Sequence, residues 1–130
     1  MDHPNATRIR ELFAAFERAD LAVIQETIPE SAVWRFPGRK GQLAGTHVGR
    51  DAILSFLLSV GSLTDETFEL DLIDVVANDR WAVALFTGSG QRNNKVLDNP
   101  TCLRMRLEDG KVVEVWEFVW DLYEVDEFWA

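Results

Sequence analysis

The sequence predicts an α+β domain in which helices come first and a meander of long antiparallel strands follows. Three observations carry that expectation. Apolar residues recur at helical spacing as far as Val60. From Phe68 onward they alternate with polar residues or run continuously, as strands do. The pairs Asn93-Asn94 and Asp109-Gly110 punctuate that second half as hairpin turns.

Each element follows from its own residues. Ile9, Leu12, Phe13 and Phe16 fall on one helical face, with Arg8, Arg10, Glu11 and Glu17 on the other. Asn5 is the expected N-cap of this helix. Asp20 is suited to cap a second, short helix carrying Leu21, Ile24 and Ile28, which Pro29 ends. Ala32 to Phe36 reads as a short strand closed by Pro37-Gly38, and residues 38 to 49, with four glycines, read as a loop. A third helix begins near Arg50, with Ala52, Ile53, Phe56, Leu57 and Val60 on one side and Gly61 at its exit. Phe68 to Val76 alternates at first, Asn78-Asp79 turns the chain, and Trp81 to Thr87 reads as a strand covered on both faces. Leu103, Met105 and Leu107 alternate with Arg104 and Arg106, giving one apolar and one basic face. The last strand spans Lys111 to about Trp120, and Asp121 then caps a short C-terminal helix from Leu122 to Phe128.

The chain has 130 residues and reads as a single domain over 1–130, large enough to bury roughly two-thirds of its unfolded surface. Its formal charge is −9, from 22 acidic and 13 basic residues. That sign argues against nucleic acid and against an anionic membrane surface as partners. No apolar run approaches the ~20 residues needed to span a bilayer. The lone Cys102 cannot form an internal disulfide, and Met1 to Asn5 has neither the basic nor the apolar region of a secretion signal. A cytoplasmic location is the expectation.

The stretch from Trp34 to Ile53 points to where the protein works. Trp34-Arg35-Phe36-Pro37-Gly38 leads through a glycine-rich loop, Leu43-Ala44-Gly45-Thr46, into Gly49-Arg50-Asp51-Ala52-Ile53 and the third helix. A short strand and loop beside helices and a curved sheet make a deep, mostly apolar pocket for a small-molecule ligand. The side chains expected to line it are Phe13, Phe16, Trp34 and Phe36, with Phe56, Leu103, Met105 and Trp120.

These pieces resemble the SnoaL-like branch of the nuclear-transport-factor-2-like superfamily. The resemblance spans nearly the whole chain. It is carried by Phe16 to Leu21, Trp34 to Gly38, Gly45 to Ile53, Ala77-Asn78-Asp79, Asp109 to Glu114, Trp116-Glu117-Phe118 and Asp121 to Trp129. It implies a cone, in which a curved antiparallel sheet wraps on three N-terminal helices with a short C-terminal helix. It also implies a cavity open at one end and a homodimer formed across the outer face of the sheet. Its enzyme relatives include ketosteroid isomerase, limonene epoxide hydrolase and the polyketide cyclases, all of which work without a cofactor.

The isomerase machinery does not carry over. Its general base falls on Phe36, its tyrosine donor on Leu12 or Phe13, and its protonated acid on Leu103. All four residues are apolar here. The final-strand aspartate of the epoxide hydrolase falls on Glu117 when aligned from Gly110, or on Phe118 when aligned from Trp116. The Arg-x-Asp part of its triad has no counterpart. Glu117 is also the residue comparable to the single pocket acid of the cyclases.

Glu117 sits between Trp116 and Phe118 in an apolar strand. Pointing inward, burial would raise its pKa and suit it to acid–base work. Pointing outward, it would pair with Arg104 or Arg106. Arg35 takes the face opposite Trp34 and Phe36, towards a salt bridge or solvent. His47 and Arg50 flank the loop before the third helix and are candidates to polarise a ligand group, Arg50 with Asp121 or Glu117 as carboxylate partner. Two histidines and one cysteine without paired spacing give no metal site. Gly88-Ser89-Gly90 lacks the lysine and helix of a phosphate loop. Two functions remain open: an isomerase, cyclase or hydrolase acting on a small apolar substrate, and a non-catalytic binding or dimerisation module.

Overall fold

The computed structural model describes residues 2–130. The chain runs α1 (Pro4–Arg18), α2 (Leu21–Thr27), β1 (Val33–Phe36), β2 (Gly45–Val48), α3 (Arg50–Leu63), β3 (Glu69–Ala77), β4 (Trp81–Arg92), β5 (Lys95–Glu108), β6 (Lys111–Val119) and α4 (Leu122–Trp129). The six strands form one sheet in the order β2-β1-β6-β5-β4-β3. All neighbours are antiparallel except β1 and β6, which run parallel and bring Trp34 beside Val115. An α+β layout with a bent sheet embracing the helices is therefore the observed fold, as the element order implied.

The helix starts show local chemistry at work. The cap of α1 is His3, not Asn5: its Nδ1 accepts from the Asn5 backbone N–H at 3.0 Å, and Pro4 follows in the first turn, where its missing N–H costs nothing. Asn5 is buried instead, and its Nδ2 donates to the carbonyls of Asn78 (3.0 Å) and Asp79 (3.3 Å), tying α1 to the β3–β4 turn. Asp20 caps α2 by accepting from Val23 N–H. The third helix overruns Gly61 and ends at Thr64, whose hydroxyl donates back to the carbonyls of Val60 and Gly61.

Residues 45–48, expected as loop, pair with β1 in register Trp34↔His47 and Phe36↔Gly45. Only His47 of the four is even half-buried, so this edge strand shows no apolar alternation for a sequence reading to find. The hairpin turns lie where expected. Asn93 and Asn94 take φ of 50° and 62°, and Asp109-Gly110 take 50° and 75°. Strand β4 is covered on one face only: Ala82, Ala84 and Phe86 are buried, while Trp81 and Leu85 are each 40 % exposed. The continuous apolar run reflects an outer face that is itself apolar.

The inner face of the sheet carries Phe86, Leu103, Met105 and Val115 against Ile9, Leu12 and Phe13 of α1 and Ile53 and Phe56 of α3. Helix α4 closes the rim, burying Val125, Phe128 and Trp129. Its C-terminal carbonyls are met by the β4–β5 hairpin: Arg92 donates to the carbonyls of Phe128 (3.1 Å) and Ala130 (2.7 Å), and Lys95 to that of Glu127 (2.7 Å). At its other side, the Asp126 carboxylate accepts from the backbone N–H of Arg39 and Lys40, which also holds its carboxyl below the usual range. No described helix is long and apolar enough to cross a membrane.

Candidate functional site

Strand register decides which way Glu117 looks. It lies opposite Leu103 on β5, and Leu103 is 2 % exposed on the inner face. Arg104 and Arg106 belong to the other face, so the outward ion pair considered for Glu117 does not form. Their partner there is Glu114, which accepts from Arg106 Nε and Arg35 Nη1, each at 2.9 Å. Those two guanidinium groups hold the Glu114 carboxyl below its ordinary range. Arg35 thus faces outward, as alternation required, and stacks 4.7 Å above the Trp116 ring.

Inside, Glu117 Oε1 accepts from the indole Nε1–H of Trp34 at 3.1 Å. Oε2 makes no hydrogen bond to any described residue and is not sealed off, since water-sized contact with the side chain remains. Burial among apolar neighbours pushes the Glu117 carboxyl up from 4.5 to about 7, with the Trp34 bond opposing that rise. Poised near neutral pH, such a group can both give and take a proton.

Around it stands a chain of rings. Trp34 lies 5.6 Å from Phe56 and 6.4 Å from Phe16, Phe36 lies 5.5 Å from Phe56, and Phe13 lies 5.3 Å from Phe86. Of the expected pocket lining, Phe13, Trp34, Phe36, Phe56, Leu103 and Met105 are all buried on this inner side, and Phe16 is half-buried. The rings pack on one another where the sequence placed an open cavity. Two shallow surface depressions lie elsewhere. One is lined by His3 and residues 78–81, the other by residues 38–40 with Leu122, Tyr123 and Asp126.

Three sequence expectations are corrected in placement. Trp120 is 84 % exposed at the end of β6, because the chain leaves the sheet there, so it does not line the interior. Arg50 does not reach Glu117 or Asp121. Its Nη1 donates to the carbonyls of Gln25 (3.2 Å) and Ile28 (3.3 Å), and its Nη2 pairs with Glu30 at 3.5 Å, so it closes the C-terminal end of α2. His47 is not a free loop side chain. It faces inward beside Trp34, stacks on Phe56 at 4.4 Å, and its Nε2 donates to the Leu43 carbonyl at 2.8 Å. A carbonyl only accepts, so Nε2 carries hydrogen.

The inner row of β5 also holds two polar residues that the sequence reading passed over, Asn99 and Thr101, buried at 7 % and 6 %. The signal was alternation through Leu97, Asn99, Thr101, Leu103 and Met105, and Pro100 obscured it by arguing against a strand.

Residues 9–115 match the SnoaL-like domain family. The chain belongs to that family. An uncharacterised protein of Mycobacterium tuberculosis is 30 % identical over 130 residues, 99 % of this chain and 98 % of that one. Among solved structures, Bal32a from a soil-derived mobile gene cassette superposes with a TM-score of 0.92 at 34 % identity, covering 97 % of this chain and 96 % of its own. IdmH of Streptomyces antibioticus, a candidate polyketide cyclase, shares the fold with a TM-score of 0.75 at 21 % identity, over 90 % and 92 % of the two chains. SnoaL-like membership fits the inward-facing acid in an aromatic interior that the geometry shows.

Proposed function

We propose that this SnoaL-like protein is a cofactor-independent acid–base enzyme acting on a small, largely apolar molecule that bears a carbonyl. The carrying observation is Glu117: Oε1 fixed by Trp34, Oε2 without a protein partner, and the carboxyl raised to about 7. In the carboxylate form, Oε2 takes a proton from the carbon next to the carbonyl. The C–H electrons pass into the carbon skeleton and onto the carbonyl oxygen, giving an enolate. The carboxyl then returns the same proton to a different carbon, which gives isomerisation, or, where the enolate carbon has attacked a second carbonyl of the same molecule, to the alkoxide oxygen left there, which gives cyclisation. His47 Nε2–H is held by Leu43, so His47 contributes shape through its ring, stacked on Phe56. Arg50 serves the scaffold.

The polyketide-cyclase description of a protein with the same fold supports this reaction class. The closed ring cluster implies that Phe16, the least buried of the rings, moves to admit ligand.

A second reading, a binding module without turnover, is favoured by one observation: Leu12, Phe13, Phe36 and Leu103 leave Glu117 without a partner acid or oxyanion donor among them. Glu117→Gln, screened with the parent protein against carbonyl-bearing aromatic compounds, separates the readings. Turnover by the parent, lost with binding retained in the variant, supports the enzyme. Binding without turnover by the parent supports the module.

We also propose a homodimer across the outer sheet face, where Trp81 (40 %), Leu85 (40 %) and Phe118 (50 %) remain exposed around the Arg104 and Arg106 guanidinium groups. The single half-buried thiol, Cys102, supports work in a reducing compartment, the cytoplasm.

A further inference from the structure

Resting on the ligand-pocket reading above, we propose that Asn99 is a second ligand-binding residue, and that the ligand is an elongated apolar body with a polar group at each end, one met by Glu117 and the other by Asn99.

Asn99 is 93 % removed from solvent, and its side-chain carboxamide makes no hydrogen bond to any described residue and keeps a narrow contact with solvent. Its backbone carbonyl is occupied, accepting from Thr101 Oγ1 at 3.0 Å, but the carboxamide is idle. A carboxamide offers two donors and two acceptor lone pairs, and none of them is used by the fold. An apolar residue of the same shape would serve the fold at least as well. The pairing Gly88↔Asn99 places it on the same inner face as Leu103 and Glu117. Beside it is a stretch built for close approach. Gly88 and Gly90 have no side chain, and any Cβ there would press on the Phe68 ring, at 2.9 Å and 3.3 Å. Phe68 in turn meets Trp129 of α4 at 6.2 Å. Asn99 is thus the ladder partner of a glycine, Gly88, whose own open side is filled by the Phe68 ring.

The spacing sets the ligand's length. Asn99 and Leu103 are four residues apart on one strand, about 13 Å between Cα atoms at strand rise, and Glu117 lies directly across from Leu103. A ligand that meets both side chains therefore needs about the length of two linked six-membered rings, roughly 10 Å. Leu103 and the hydroxyl of Thr101 lie between. The chemistry at the Asn99 end is neutral: a hydroxyl or carbonyl, which a carboxamide meets as acceptor or donor, and not a carboxylate or an amine, which would lack a counter-charge there.

The test uses two probes, biphenyl with one para hydroxyl and biphenyl with a para hydroxyl at each end, titrated into the parent protein, Asn99→Leu and Glu117→Gln by calorimetry. The parent is expected to bind the diol about tenfold tighter than the mono-hydroxyl compound. Asn99→Leu should abolish that preference while still binding the mono-hydroxyl compound and melting no lower than the parent. Equal binding of both probes by the parent, or a preference that survives in Asn99→Leu, overturns the assignment and leaves the pocket reading intact. A fall of several degrees in the melting temperature of Asn99→Leu also overturns it, by showing that the carboxamide holds the fold through an interior water. If neither probe binds the parent, the pocket reading fails and takes this inference with it.

Discussion

The indole N–H of Trp34 donates to Oε1 of Glu117 across 3.1 Å, joining β1 to β6 inside the cone. The bond spans 83 positions of sequence, yet the parallel register of the two strands makes it local in space. It favours the charged form of a group that burial would otherwise keep protonated. Trp34→Phe keeps an aromatic ring and removes only the donor. The titration midpoint of Glu117, read by carboxyl NMR or by the pH dependence of any activity, should then rise by about one pH unit. A midpoint that stays near 7 would show that the bond does not tune the acid.

Burial of Glu117 also makes stability depend on pH. Its folded-state pKa of about 7 lies above the unfolded 4.5, so between those values the folded protein holds a proton that the unfolded chain has released. The protonated carboxyl's contribution is present in full below pH 4.5 and is lost as pH rises through about 7. The total is of order 3 kcal/mol. Chemical denaturation across that window should show stability falling with pH in the parent protein and a flatter profile in Glu117→Gln. The sign distinguishes Glu117 from Glu114 and Asp126, whose lowered pKa values act in the opposite sense and below their ordinary ranges.

The fold was legible in the sequence wherever one face of an element carried the signal alone. The stripe of Ile9, Leu12 and Phe13 and the turns at Asn93-Asn94 and Asp109-Gly110 are local facts, and they stand as read. Glu117 stood out because it is charged in an apolar strand, but its direction was not readable. That depends on the register with β5 and on a shift between Arg106 and Leu107 in the β5–β6 ladder, both tertiary. The misplacement of Arg50 has a similar cause. A guanidinium at a helix start wants an acceptor, but nothing local says that the carbonyls closing α2 supply it. Edge strand β2 and the Asn99–Thr101 pair were hidden by glycines and by Pro100, which carry turn chemistry in isolation and sit inside a ladder here.

The outer face gives a third prediction. Arg104 lies 4.3 Å over the Trp116 ring and 5.8 Å from that of Phe118, so its guanidinium is held against the aromatic rings of this face. Phe118 on the same face is 50 % exposed. If two copies meet there, Phe118→Lys places like charges against one another across a two-fold axis. Sedimentation should then shift from two chains to one, with the helical circular dichroism unchanged. A parent protein that already sediments as one chain at high concentration would sink the dimer.

The last prediction concerns the α4 plug. Gly41 has φ of +74°, and a Cβ at that position would fall on the Trp129 carbonyl, which is backbone and cannot swing away. Gly45 also has a positive φ, +119°, but nothing lies within 4 Å of where its Cβ would be. Alanine at either site carries a conformational cost of about 1–2 kcal/mol. Only Gly41→Ala adds a collision with α4, worth a further ~1–3 kcal/mol. The loop can avoid that collision only by moving away from the helix, which frees Asp126 from the N–H groups of Arg39 and Lys40. Hydrogen exchange should therefore quicken across Val125 to Trp129 in Gly41→Ala and stay at the parental rate in Gly45→Ala. Since α4 roofs the inner face of β5, Gly41→Ala should also speed ligand entry and exit more than it changes affinity, and stopped-flow quenching of tryptophan fluorescence would report both rates. Equal exchange in the two variants would mean that the loop and α4 move independently, and that access to Glu117 does not pass beneath the helix.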